Sequence, residues 1–166
     1  MIEVLVSLVV VAFGLLGLAG LQARSMSFQK DSFDRKSAAE MVSQLVERAR
    51  GNFAGFQAGD YDRTLTPGDA TAVAVPACAD PLNCTPVEVA TRDWAMWQID
   101  LRRRLPTSGA YLTSAEVNGR RVNLSVTLAW QEGQPTDVNQ VDPICSNAPV
   151  NINDPTFRCM NWVIIP

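Results

Sequence analysis

From Val4 to Ala23 the chain runs for 20 residues without a charged side chain. At 1.5 Å rise per residue, a helix of that length spans about 30 Å, the thickness of a bilayer's hydrocarbon core. Water is a poor environment for such a segment, so this stretch decides what the chain can become. A cleaved secretory signal would carry basic residues in front, a shorter apolar core and a small-residue cleavage site. Here Glu3 stands at the mouth of the run instead, so a retained anchor is expected. Gly14, Gly17 and Gly20 recur every three residues. They weaken the helix locally and let another helix approach closely.

The helical pattern continues past the apolar run. Between Arg24 and Arg50 there is neither Pro nor Gly, and Ala38, Met41, Val42, Leu45 and Ala49 repeat at helical spacing. Glu40, Glu47, Arg48 and Arg50 lie on or near the other face, and Gly51-Asn52 is a stop signal. The expectation is one helix of roughly 50 residues, about 75 Å long, apolar all round in its first half and amphipathic in its second. A lone domain has no use for such a helix unless the first half finds a second environment.

Residues 51–84 read as a linker rich in Gly, Asp, Thr, Ala and Pro, with short apolar runs such as Ala72–Val75. A second helix is then well marked. Thr85 is an N-cap, Pro86 suits the first turn, and Glu88 completes a Thr-x-x-Glu capping box. Val87, Ala90, Trp94, Trp97, Leu101 and Leu105 form one stripe, and Pro106 ends it. Beyond Gly109 the period becomes two: Val122, Leu124, Val126, Leu128 and Trp130 alternate with Asn123, Ser125, Thr127 and Ala129. Tyr111–Val117 is the partner strand, joined through Asn118-Gly119, a strong hairpin signal. Met160–Ile165 is a last strand. The predicted architecture is α+β: a long N-terminal helix on a C-terminal antiparallel sheet, with a second helix in the connecting region. Its expected parts are the membrane half of the helix (1–23), the amphipathic half (24–52) and the globular domain (53–166).

Composition narrows the chemistry. Histidine is absent, which removes Ser-His and Cys-His catalysis and every His-containing metal site. A net charge of -3 lacks the positive field of a dedicated nucleic-acid binder. Arg102, Arg103 and Arg104 close the second helix, where cations suit its dipole. Together with Arg120 and Arg121 they are the one candidate nucleic-acid patch. Asp60/Asp62 and Asp137/Asp142 are acidic pairs that a general acid-base enzyme or a calcium site would use, but they sit among turn formers. The cysteines are Cys78, Cys84, Cys145 and Cys159. Four allow three pairings, of which the sequence-adjacent ones, Cys78–Cys84 and Cys145–Cys159, are the natural choice. Both intervals lie in Pro/Asp/Asn-rich chain with little apolar core, and neither has zinc-site spacing. Disulfides point to an oxidising compartment.

The segment IEVLVSLVVVAFGLLGLAGLQ resembles the N-terminal helix of type IV pilins and of type II secretion pseudopilins. Met1-Ile2-Glu3 matches the end of the processing motif of those families. The resemblance implies that two mature residues and a leader precede Met1, removed by a prepilin peptidase that also methylates the new N-terminus. Cys84-Thr-Pro-Val-Glu-Val-Ala, Asp93, Trp97, Leu105-Pro106 and VNLSVTLAWQ are similar to PilV-type minor pilins, the type IV pilus modification proteins. The proline that many major pilins carry near Gln22 is absent. The resemblance implies a non-catalytic subunit with no cofactor and no metal, held in the bacterial inner membrane by a single pass with its globular domain in the periplasm, then built into an extracellular pilus. Implied partners are other minor pilins, the major pilin, the peptidase and assembly platform, and a tip adhesin; nucleic acid is disfavoured. Glu3 would set axial register by pairing with an N-terminal amine, and Gly14, Gly17 and Gly20 would pack the filament core. The alternatives are a type II secretion pseudopilin, a DNA-uptake pilin and a membrane-anchored periplasmic enzyme.

Overall fold

The computed structural model describes residues 2–69, 71–80, 82–132, 140–147 and 149–166. The elements are α1 (Ile2–Gly51), α2 (Phe53–Ala58), β1 (Thr64–Leu65), α3 (Pro86–Arg104), β2 (Gly109–Val117), β3 (Arg120–Gln131), α4 (Pro143–Ser146) and β4 (Phe157–Ile164). The chain forms two compact units, one ending at Phe33 and the other beginning at Asp34. The sequence divides the helix at 23/24, where charge begins; the units part at 33/34, where side chains begin to be buried.

The first unit is helix alone. The second is an α+β domain whose antiparallel sheet has the order β1-β2-β3-β4. Its main core joins Ala38, Met41, Val42, Leu45, Val46 and Ala49 of α1 to Ala90, Trp97 and Leu101 of α3 and to one sheet face, Ala110, Leu112, Leu124, Val126, Leu128 and Trp130. All five apolar α1 positions expected from periodicity are buried. The α3 stripe is buried from Ala90 through Leu105, with Trp94 partly covered, but Val87 is 49% exposed because it lies in the first turn. Trp97 is fully buried, donates Nε1–H to the Met41 carbonyl at 2.7 Å and stacks on Trp94 with centroids 5.4 Å apart.

The α3 N-terminus is built as its sequence demands. The Glu88 carboxylate accepts from Thr85 N (2.8 Å), Thr85 Oγ1 (2.7 Å) and Ala79 N (2.8 Å). The last bond ties the Cys78–Cys84 loop to the helix. These donors hold the Glu88 carboxyl below its ordinary pKa, the Ala79 amide most of all. Thr156 does the same for Asp154, chiefly through its amide, and Thr71 for Asp69, chiefly through its side chain. A carboxyl with a depressed folded pKa stabilises the fold above its unfolded pKa, and that contribution is lost as pH falls through the folded value. Thermal stability is therefore expected to decline below about pH 4.3, the ordinary Glu value. Glu88→Gln should flatten part of that decline; equal acid slopes for the two proteins in a melting series would refute this account of Glu88.

The β2–β3 hairpin turns through Asn118 (φ 53°) and Gly119 (φ 73°), the left-handed pair of a type I′ turn. Val122 is 39% exposed, while Leu124, Val126, Leu128 and Trp130 are buried. The other sheet face is not simply open. Thr127 and Ala129 are buried too, and Tyr111, Ala129, Cys145, Val150, Phe157 and Cys159 form a second, smaller core. β4 covers Phe157–Ile164 rather than starting at Met160, because Phe157 pairs with Gln131 and Cys159 with Ala129.

Residues 51–84 hold more structure than a linker. Asn52 Oδ1 caps α2 at Gly55 N, and α2 ends on Gly59 in a left-handed conformation (φ 87°). A Cβ at Gly59 would also strike the Arg121 guanidinium. β1 pairs Thr64 with Tyr111 and Leu65 with Ala110. Tyr61 is buried and donates to Asp93 Oδ2 at 2.8 Å, while Arg48 holds Asp93 Oδ1 at 3.1 Å. Burial, helped by the Asp93 bond, pushes the Tyr61 hydroxyl far above the ordinary tyrosine range, so it remains a donor.

Candidate membrane and assembly interface

The residues that look functional gather on the first unit. α1 is long and apolar enough to cross a membrane, and the chain buries none of the most apolar window. Val4, Leu5, Leu8, Phe13, Leu15, Leu16 and Leu21 are all exposed. Leaving such side chains in water costs roughly 1.5–3 kcal/mol each relative to burial. The surface therefore calls for lipid or protein around it.

Glu3 occupies the first turn of α1, where a carboxylate suits the positive end of the helix dipole. Its carbonyl accepts the Ser7 hydroxyl at 2.8 Å. Among the described residues no ion pair includes Glu3; Met1 lies outside them. A Cβ at Gly14, Gly17 or Gly20 would meet nothing within 4 Å. Among the described residues no contact requires glycine at these positions.

Most of the other candidate residues have structural partners. Asp62 accepts from Ser114 N (2.7 Å) and Ser114 Oγ (2.8 Å) and pairs with Arg121 at 3.2 Å. Asp60 donates its amide to the Gly55 carbonyl and accepts Arg63 Nε on its own carbonyl. Asp142 caps α4 at Ile144 N and accepts from Cys159 N; Asp137 lies outside the described residues. Among the described residues no group of three or more His, Cys, Asp or Glu side chains is placed to hold a metal. Arg102 pairs with Asp69 (3.6 Å), Arg103 with Asp100 (3.9 Å) and Arg104 with Glu40 (3.0 Å). Arg121 is committed to Asp62 at 3.2 Å, while Arg120 is exposed at the start of β3. The cysteines join as Cys78–Cys84 and Cys145–Cys159. The second bridge lies in the smaller core, where it straps α4 to β4 over the sheet. Periodicity read along the amphipathic half missed Met26, Phe28 and Phe33, which are exposed on α1 beyond the uncharged run; for Met26 and Phe33 the spacing to Leu15 was the available signal.

Residues 20–95 match the Tt1218-like family, described as type IV pilin Tt1218. The match runs from the end of the apolar segment into α3. Glu3, Gly14 and Gly17 precede it, Cys78 and Cys84 fall inside it, and Cys145 and Cys159 follow it. No curated protein and no solved structure matches the chain significantly. The matched segment, the exposed apolar helix and the helix-on-sheet domain agree, and together they support a type IV pilin-like family for the chain.

Proposed function

We propose that this chain is a non-catalytic minor pilin. Residues 1–23 hold it in the bacterial inner membrane, with the globular domain in the periplasm, and it is then incorporated into a type IV pilus at or near the tip. There it primes or supports assembly with other minor pilins and the major pilin, with adhesion or twitching motility downstream. The observation that carries this reading is an exposed, uncharged helix of membrane length attached to a folded, disulfide-tied domain. Such a helix is stable in lipid, and on leaving lipid it is stable only among similar helices. The pilin family supplies those helices.

In this reading Glu3 aligns the bundle. A carboxylate at the edge of a hydrocarbon core is costly unless paired, and only one stagger of parallel helices brings it to a neighbour's N-terminal amine. Gly14, Gly17 and Gly20 let helices approach. Glu3→Ala should stay in the membrane fraction while its recovery in sheared filaments drops at least about tenfold, since breaking a buried charge pair costs several kcal/mol. Unchanged recovery would remove Glu3 from the register role. Absence of the unaltered protein from filaments would overturn the pilin reading itself.

A further inference from the structure

β4 is an edge strand: β3 pairs with one side of it, and the sheet order ends there. The ladder fixes which backbone groups of β4 face outward. Glu132 N donates to the Thr156 carbonyl at 2.9 Å, so Thr156 and every second residue after it turn their amides and carbonyls to β3. Phe157, Cys159, Asn161 and Val163 therefore point theirs away from the sheet. Such an edge is a template for another strand, and proteins blunt it with charges, prolines or bulges.

The chain closes this edge itself at both ends. Phe157 N donates to the Asp154 carbonyl (3.1 Å), and Cys159 N donates to the Asp142 carboxylate (3.3 Å). At the other end Arg50, also paired with Glu47, donates to the Ile165 carbonyl at 3.2 Å. Between them Met160–Ile164 carries no proline and no charged side chain, and its register with β3 is unbroken. Among the described residues nothing meets the outward N–H and C=O groups of Asn161 and Val163. The Asn161 side chain does not cover them, because it turns to Ser125 and Thr127 on the sheet face. Val163 is 64% exposed and Met160 36%.

We propose that this open window pairs with the same window of a second copy of the chain, antiparallel about a two-fold axis at Trp162. Asn161 of each copy then faces the partner's Val163, and every open amide and carbonyl of the window gains a hydrogen bond. The charges at the ends select this arrangement. One end of the window carries the Asp142 carboxylate and the other the Arg50 guanidinium. Antiparallel pairing sets Asp142 toward the partner's Arg50 at both ends, whereas parallel pairing would set like charges together. Met160 comes opposite the partner's Ile164, and Val163 lies diagonal to the partner's Val163, which covers exposed apolar surface. This contact belongs to the globular unit, and it stands apart from the pilin reading and from α1 before Phe33.

The test uses the full chain in detergent micelles over a range of protein concentrations. Sedimentation should show a monomer-dimer equilibrium, and the Asn161 and Val163 amides should exchange more slowly with deuterium as the dimer forms. Val163→Pro deletes an outward amide and leaves the β3 ladder untouched. It should raise the dimer dissociation constant about tenfold or more, the scale of two lost hydrogen bonds. Val163→Lys keeps the amide but brings like charges together near the axis, and should weaken the dimer as well; it carries the test if the proline variant misfolds. Arg50→Gln keeps a donor for the Ile165 carbonyl, removes the charge, and should also weaken the dimer. A chain that stays monomeric, a dimer equally tight in the Val163 variants and in Arg50→Gln, or amides that exchange alike in monomer and dimer would overturn the pairing. The readout is the dimer, not the filament, so failure here and failure of the pilin reading are separate results.

Discussion

Trp97→Ala should destabilise the globular domain by about 3–5 kcal/mol, the cost of deleting a large buried aromatic. Domains of this kind are held together by only about 5–15 kcal/mol. The expected consequence is a large drop in the urea midpoint and low steady-state protein. Trp97 is fully buried where α1, α3 and the sheet meet. It stacks on Trp94 and donates to the Met41 carbonyl, so truncation opens a cavity and removes a hydrogen bond together. Trp97→Phe keeps much of the volume and loses the indole N–H, and should cost about 1–2 kcal/mol, a hydrogen bond plus modest repacking. Urea denaturation of the full chain in detergent micelles measures both. A loss below about 1 kcal/mol for the alanine variant would mean that Trp97 does not anchor the core.

Removing the Cys145–Cys159 bridge is expected to cost about 2–5 kcal/mol. The loop-entropy part alone is roughly 3 kcal/mol for a closure of this length. The bridge also sits in the second core with Tyr111, Val150 and Phe157, where both sulfurs are buried. Loss of the bridge unties α4 from β4 over the sheet face that carries Tyr111 and Ala129. The Cys78–Cys84 loop is shorter, and Glu88 holds it independently through Ala79 N. Paired Cys→Ala changes should therefore rank the two bridges, with Cys145/Cys159 the more damaging in thermal melts. The reverse order would contradict the role given to the second core.

Once assembly is considered, the two halves of α1 respond to mutation in different ways. Substitutions in Ala38–Ala49 act through folding, because those side chains are buried within the domain. Substitutions before Phe33 are expected to leave the domain intact, since the chain itself covers none of the apolar window.

Much of this was legible in the residues. A 20-residue uncharged run needs no tertiary information to be read as a membrane-length helix, because length and desolvation alone decide it. The helical period of Ala38–Ala49, the Thr85–Glu88 cap, Pro106 and the Asn118-Gly119 turn are local signals, written within a few residues of where they act. The sequence-adjacent cysteine pairing belongs to the same class, because short loops close readily. Tertiary structure decided what depends on neighbours distant in the chain. α2 and β1 are too short to hold themselves and exist because Phe56, Tyr61 and Leu65 have a core to enter. Thr127 and Ala129 sit on the face that alternation assigns to solvent, yet both are buried, Ala129 in a core shared with Cys145, Val150, Phe157 and Cys159. The carboxylates and arginines that looked free in the sequence find partners through folding, as Asp62 and Arg121 do at 3.2 Å. Short-range signals survive in a linear reading; burial and charge pairing do not, because they belong to contacts that chain order does not contain.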